Sequence, residues 1–140
     1  MYLLDTNVIS ELRKAKAGTA HSGVISWASE VPAALMFVSV ISIHEIEHGV
    51  LLAERSDPAK GAMLRAWLDN SVVPAFAERI VIVDLDIVKR AAGLHVPDPA
   101  PFRDALIGAT AMVHGMVLVT RNVRDFERFP NLDLINPWLS

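Results

Sequence analysis

Apolar positions fall in short unbroken runs separated by longer stretches in which they recur every three to four residues. Tyr2-Leu3-Leu4 is such a run, ends at Asp5 and reads as a buried strand. Asp5-Thr6-Asn7 then supplies capping oxygens for a helix from about Val8 to Lys14. Ala15–Gly23 is small and polar and predicts a loop, with His21 a solvated residue within it. Val24–Ser29 makes one short helix closed off by Pro32. Leu35–Val40 is a second apolar run, after which Ser42 can cap a helix to about Arg55. Asp57-Pro58 is a cap followed by proline at the first helical position, which opens a helix to about Asn70. Ile80–Val83 is entirely β-branched and predicts a strand, and Asp84 or Asp86 starts a helix toward Ala92. Pro97, Pro99 and Pro101 make His95–Phe102 an ordered loop. Arg103–His114 is helical with alanine and glycine on one side, and Gly115 ends it. Met116–Thr120 is the next strand, and Leu132–Ile135 an edge strand before Pro137.

Strands that alternate with helices predict a parallel sheet covered on both faces. Unbroken apolar runs say the same of the strands themselves. The fold expected is a three-layer α/β/α sandwich with a central, mostly parallel sheet, built as a single domain over residues 1–140.

Composition narrows the chemistry. With 140 residues, 52% hydrophobic and 21% charged, the chain suits one globular core rather than a disordered segment. The absence of cysteine removes disulfides, thiolate nucleophiles and sulfur-ligated metals together. No apolar run approaches the roughly 20 residues of a membrane span, so a cytoplasmic protein is expected. A net charge of −3 gives no global positive field, so any nucleic-acid contact has to rest on a local patch.

Ligands of open parallel sheets gather at the carboxyl ends of the strands. Along that edge lie Asp5 after the first strand, Glu45 one turn into the helix after the second, Asp104 opening a later helix, and Asn122 with Asp125 just after Thr120. Taken singly, each acid suits a helix start, where the dipole favours negative charge. Taken together they need either protons or a divalent cation, since two carboxylates about 5 Å apart repel by roughly 3 kcal/mol at an effective dielectric of 20. Oxygen-only donors point to a hard ion, Mg²⁺ or Mn²⁺, and such an ion fits phosphodiester hydrolysis.

Leu4-Asp5-Thr6-Asn7-Val8-Ile9-Ser10, Ser42-Ile43-His44-Glu45, Asp104-Ala105-Leu106-Ile107-Gly108-Ala109-Thr110-Ala111 and Val119-Thr120-Arg121-Asn122 together resemble the PIN-domain family. The pattern is nearest to the VapC and FitB-like toxins of bacterial toxin–antitoxin pairs, and the order and spacings match from Met1 to Asn136-Pro137-Trp138. The resemblance implies a Mg²⁺- or Mn²⁺-dependent endoribonuclease. It implies a homodimer, neutralised by a small DNA-binding antitoxin whose C-terminal segment enters the acidic groove. By position, Asp5 and Asp104 are implied metal ligands, Glu45 completes the set or orients the attacking water, and Thr6, Asn7 and Thr120 are donors around them. The fourth acid departs from the family pattern: Asn122 stands where many relatives carry aspartate, and Asp125 is the acid expected to serve.

His44-Glu45-Ile46-Glu47-His48 also matches H-E-x-x-H, in which two histidines one turn apart grip zinc. Against a zinc hydrolase stand the charged Glu47, the lack of a family-spaced third ligand at His95 or His114, and the α/β pattern itself. A catalytically degenerate module that only holds RNA or a partner protein is the other alternative, with Asn122 as its cause. Arg121, Arg124 and Arg128, with Arg103 before Asp104, are candidate phosphate contacts, extended by Arg13, Lys14 and Lys16. Ile25, Trp27, Ile41, Ile46, Val50, Leu51, Leu64, Trp67 and Leu68 give more apolar helix face than one sheet covers, which suggests a dimer surface.

Overall fold

The apolar runs pair into one five-stranded, wholly parallel sheet. In the computed structural model, which describes residues 1–139, β1 (Tyr2–Leu4), β2 (Met36–Ser39), β3 (Ile80–Val81), β4 (Val117–Val119) and β5 (Leu134–Ile135) lie in the order β3-β2-β1-β4-β5. The helices are α1 (Thr6–Leu12), α2 (Ser22–Glu30), α3 (Val40–Ser56), α4 (Pro58–Trp67), α5 (Val73–Ala75), α6 (Leu85–Gly93) and α7 (Phe102–His114). This is the three-layer α/β/α sandwich expected.

Successive side chains of a strand point to opposite faces, and β1 shows what that does here. Leu3, with Leu118 of β4, packs against Ile87 of α6 and Ala105, Ile107 and Ala109 of α7. Leu4, with Val38 of β2 and Val119 of β4, packs against Val8, Val24, Ile46 and Val50 from α1, α2 and α3. Each leucine, isoleucine or valine so buried contributes about 1.5–3 kcal/mol relative to exposure. From Asp104 to Ala111 every residue of α7 is buried, so this helix is covered all round, and small residues permit that. At Gly108 a Cβ would meet the Phe129 ring at 2.7 Å. Gly115 then ends the helix in the left-handed conformation at φ 64°.

Local details depart from the sequence expectations for identifiable reasons. The cap of α3 is Ser39, whose Oγ accepts from the Ile41 N–H at 3.0 Å, so the helix begins directly after β2. Ser42 is instead buried within α3, its Oγ without a hydrogen-bond partner among the described residues. His21 is a cap as well as a loop residue: its Nδ1 accepts from the Gly23 N–H at 3.0 Å, and α2 starts at Ser22. Asp84, not Asp86, caps α6 by accepting from the Ile87 N–H at 3.0 Å. Only Ile80–Val81 of the β-branched run pairs, because β3 is an edge strand and Ile82 already turns 66% of its surface to solvent. The proposed dimer face is also smaller than expected, since Ile46, Val50 and Leu68 are buried within the chain itself.

Candidate active site

The sheet order changes direction at β1: β2 and β3 extend to one side of it, β4 and β5 to the other. A crevice at the carboxyl ends of the strands is expected at such a switch. Asp5 leaves β1 at that point and caps α1, its Oδ1 accepting from the Thr6 N–H at 2.8 Å. It is fully buried. Its Oδ2 accepts from the Thr120 hydroxyl at 2.7 Å and from Asn7 Nδ2 at 3.5 Å. Thr120, just past β4, in turn accepts from the Asn122 N–H at 3.0 Å. A buried carboxylate is tolerable only when its lone pairs are satisfied, and these donors satisfy them.

Glu45 comes from α3 and stays partly open to solvent. The Thr6 hydroxyl donates to its Oε1 at 2.9 Å, so one residue holds two acids: Asp5 through its N–H and Glu45 through its hydroxyl. Asp104, in the first turn of α7, completes the set. Burial raises its pKa above the ordinary aspartate value, and the negative charges of Asp125 and Asp5 add to that, while Arg103 opposes it. Asp125 itself is exposed on the short turn Val123–Asp125, near enough to Asp104 for its charge to be felt. Asn122 contributes its backbone N–H to Thr120.

Between the three carboxylates lies the guanidinium of Arg103. Its Nε donates to Glu45 Oε1 at 2.5 Å and its Nη1 to Asp104 Oδ1 at 3.0 Å. Its Nη2 donates to Asp5 Oδ1 and, at 3.3 Å, to the Thr6 hydroxyl. Burial alone would favour loss of its proton, but Asp5 and Glu45 outweigh that and hold it more firmly charged. The sequence placed Arg103 only as a candidate phosphate contact; the one signal for this role was its position next to Asp104. Among the described residues no group of three or more His, Asp or Glu side chains is gathered as a ready-made metal cage. The donor set nevertheless suits a hard divalent ion, because the oxygens facing the centre belong to carboxylates and a hydroxyl, and a cationic group already sits among them.

The other candidates lie apart from these three carboxylates, several with contacts of their own. His44 and His48 are exposed on α3, and Glu47 is held bidentately by Arg65 of α4 at 2.7 and 2.5 Å. His95 Nδ1 accepts from the Ala100 N–H at 3.1 Å and so organises the proline loop. Arg121 lies over Trp138 and Arg128 over Phe129, at 5.4 and 5.6 Å. A cleft of about 320 Å³ leads away from Thr6 and Glu45 and is walled by Arg13, Lys60 and Trp67. Arg13 stacks over Trp67 at 5.8 Å.

Known proteins resemble this chain over its whole length. VapC ribonuclease Y4jK of Sinorhizobium fredii (strain NBRC 101917 / NGR234) is 34% identical over 143 residues, spanning 99% of this chain and 98% of that protein. Toxin FitB of Neisseria gonorrhoeae (strain ATCC 700825 / FA 1090) is 30% identical, spanning 99% of each. The structure of FitAB bound to an IR36 DNA fragment superposes with a TM-score of 0.86 at 29% identity, covering 99% of this chain and 96% of that one. Residues 2–132 match the PIN domain, and with full-length relatives of this kind the chain belongs to the PIN domain family.

Proposed function

We propose that this protein is an endoribonuclease dependent on Mg²⁺ or Mn²⁺ and the toxin of a toxin–antitoxin pair. The observation that carries this reading is the meeting of Asp5 just after β1, Glu45 of α3 and Asp104 of α7 around one cationic group at the carboxyl end of the central strand. Similarity over the whole chain to a protein named as a VapC ribonuclease supports RNA as the substrate. Asp5 and Asp104 are the residues that would hold the ion, with Glu45 and Asp125 completing the acidic set. When bound, a divalent ion supplies Lewis-acid polarisation of a phosphate oxygen and a lowered water pKa.

The protein's own residues supply orientation and proton transfer. Thr6, Asn7 and Thr120 fix Asp5, so its geometry is set before substrate arrives. Glu45, the more solvent-accessible of the two outer carboxylates, is positioned to take the proton of an attacking water. Arg13 and Lys60 along the cleft offer charge for the phosphates of an RNA strand, contacts that position a substrate without reading its sequence.

A site that accommodates a guanidinium also suits a basic side chain of an antitoxin arm, and the FitAB–DNA structure supports a DNA-binding partner. Exposed Leu51, Leu52 and Met63 on α3 and α4 are the surface offered for a homodimer. No helix among the described residues is long and apolar enough to cross a membrane, and a ribonuclease toxin is expected to act in the cytoplasm.

The test is cleavage of a structured RNA pool with Mg²⁺, Mn²⁺, Zn²⁺ or EDTA, wild type beside Asp5→Asn and Asp104→Asn. Cleavage with Mg²⁺ or Mn²⁺ that EDTA and either substitution abolish is the expected result. RNA binding without cleavage under every metal would replace this reading with a binding module, and cleavage with Zn²⁺ alone would restore the histidine pair.

A further inference from the structure

We propose that Arg103 is a built-in competitor of the metal: its guanidinium occupies the ion's place, and the ion binds only by displacing it. The proposal rests on the metal-site reading above. Three contacts argue for it. The guanidinium takes Asp5 Oδ1, Glu45 Oε1 and Asp104 Oδ1 at once, through three different nitrogens. On Asp5 the other oxygen is committed to Thr120 and Asn7, and Oδ1 already accepts from the Thr6 N–H, so the lone pair left toward the site is the one Arg103 uses. A divalent ion bonds such oxygens at about 2.1 Å. At that distance it cannot share all three with N–H donors 2.5 to 3.0 Å away, both because of contact and because like charges repel.

The position of Arg103 in its helix supports the same conclusion. It is the second residue of α7, where the positive end of the helix dipole disfavours a cation, so the acids rather than the helix hold it there. It also has a way out. Its side chain is 30% exposed, against none for Asp5, and neighbouring Phe102 lies on the surface. Displacement therefore needs rotation of one side chain and no movement of β1 or α3. In the metal-free state the guanidinium keeps three mutually repelling acids together. In the loaded state it stands aside, and the metal concentration needed for loading is set by how firmly it was held.

The experiment is calorimetric titration of Mn²⁺ into the wild-type protein, Arg103→Ala, Arg103→Gln and Arg103→Lys. Loss of the competing charge-assisted hydrogen bonds is expected to tighten Mn²⁺ binding by about tenfold or more in the Ala and Gln variants, with Lys between them and wild type. Wild type needs no substitution for the second readout, the Nε–H resonance of Arg103 by ¹⁵N NMR. Bonded to Glu45, that proton is expected to exchange slowly without metal and to exchange rapidly with solvent at saturating Mg²⁺. Mn²⁺ binding that is equal or weaker in Arg103→Ala and Arg103→Gln, or an Nε–H signal unchanged by saturating Mg²⁺, overturns the competitor while leaving the metal site standing. Absence of Mn²⁺ binding in every protein overturns both. Should the variants not fold, the NMR titration decides alone.

Discussion

Thr120 and Asp5, 115 positions apart in the chain, are joined by a 2.7 Å hydrogen bond in which the hydroxyl donates to Oδ2. The same hydroxyl accepts from the Asn122 N–H, so it ties the end of β1 to the loop after β4 while steering a buried carboxylate. Thr120→Val keeps the shape and removes these two bonds together with a longer one, at 3.4 Å, that the hydroxyl accepts from Asn7 Nδ2. It is expected to cost about 1–3 kcal/mol of stability in urea denaturation, because the buried Asp5 carboxylate loses a partner while the Asn122 N–H can turn to water. Thr120→Ser retains the hydroxyl and should recover most of that loss, together with any RNA cleavage lost in the valine variant.

Glu45→Gln separates proton transfer from scaffolding. Its amide oxygen still accepts from the Thr6 hydroxyl, so the thermal midpoint should stay within a few degrees of wild type. Cleavage should fall by about 100-fold or more, the usual contribution of a positioned base. Comparable cleavage by Glu45→Gln and wild type would remove Glu45 from the chemistry.

Gly61 marks where α3 and α4 touch. A Cβ there would lie 2.4 Å from the Glu54 Cα, a backbone atom that cannot move aside cheaply. Gly61→Ala is therefore expected to cost about 1–3 kcal/mol, read as a lower urea midpoint at unchanged slope. The Arg65 contacts to Glu47 and Glu54 span the same junction, so opening of the hairpin should also weaken these ion pairs.

Glu11 gives the fold a pH dependence of known sign. Its pKa is lowered below the ordinary 4.5, first by the hydrogen bond it accepts from the His21 N–H and then by Lys14. A group with a depressed native pKa contributes stability that is fully present above its unfolded value and is lost as pH falls through the native one. Glu11→Gln should therefore be less stable than wild type at neutral pH. The difference should shrink below about pH 4.5, where the wild-type carboxylate takes up its proton. Paired denaturation curves from pH 3 to 7 measure it.

Much of this site was legible before the fold was known, for a physical reason. Asp5 and Asp104 stand where an apolar strand or helix begins or ends, and such junctions show in local hydrophobic patterning. Arg103 was not legible as a clamp, because its partners Asp5 and Glu45 lie 98 and 58 positions away and nothing local encodes that meeting. The mistaken cap at Ser42 has a similar cause. Ser39 belongs to strand and helix start at once, and the apolar residues that follow do not show where the period changes from two to 3.6. His21 is solvent-exposed as its loop position implies, but its capping role is not legible, since a ring nitrogen acting as a helix cap leaves no hydrophobic signature.

β1 is the first strand in the sequence and the middle one in the sheet. Its partner β2 follows at Met36, but its other partner waits until Val117. During synthesis, then, Asp5 and Glu45 emerge long before Asp104, and the bond that steers Asp5 is missing until Thr120 has been made. A nascent chain carries two thirds of the carboxylate set with neither its closing acid nor the strand that aligns it. The site therefore closes only once Asp104 and Thr120 have both been made and β4 has paired with β1, and a fragment that stops short of Thr120 holds the first acids without their partners.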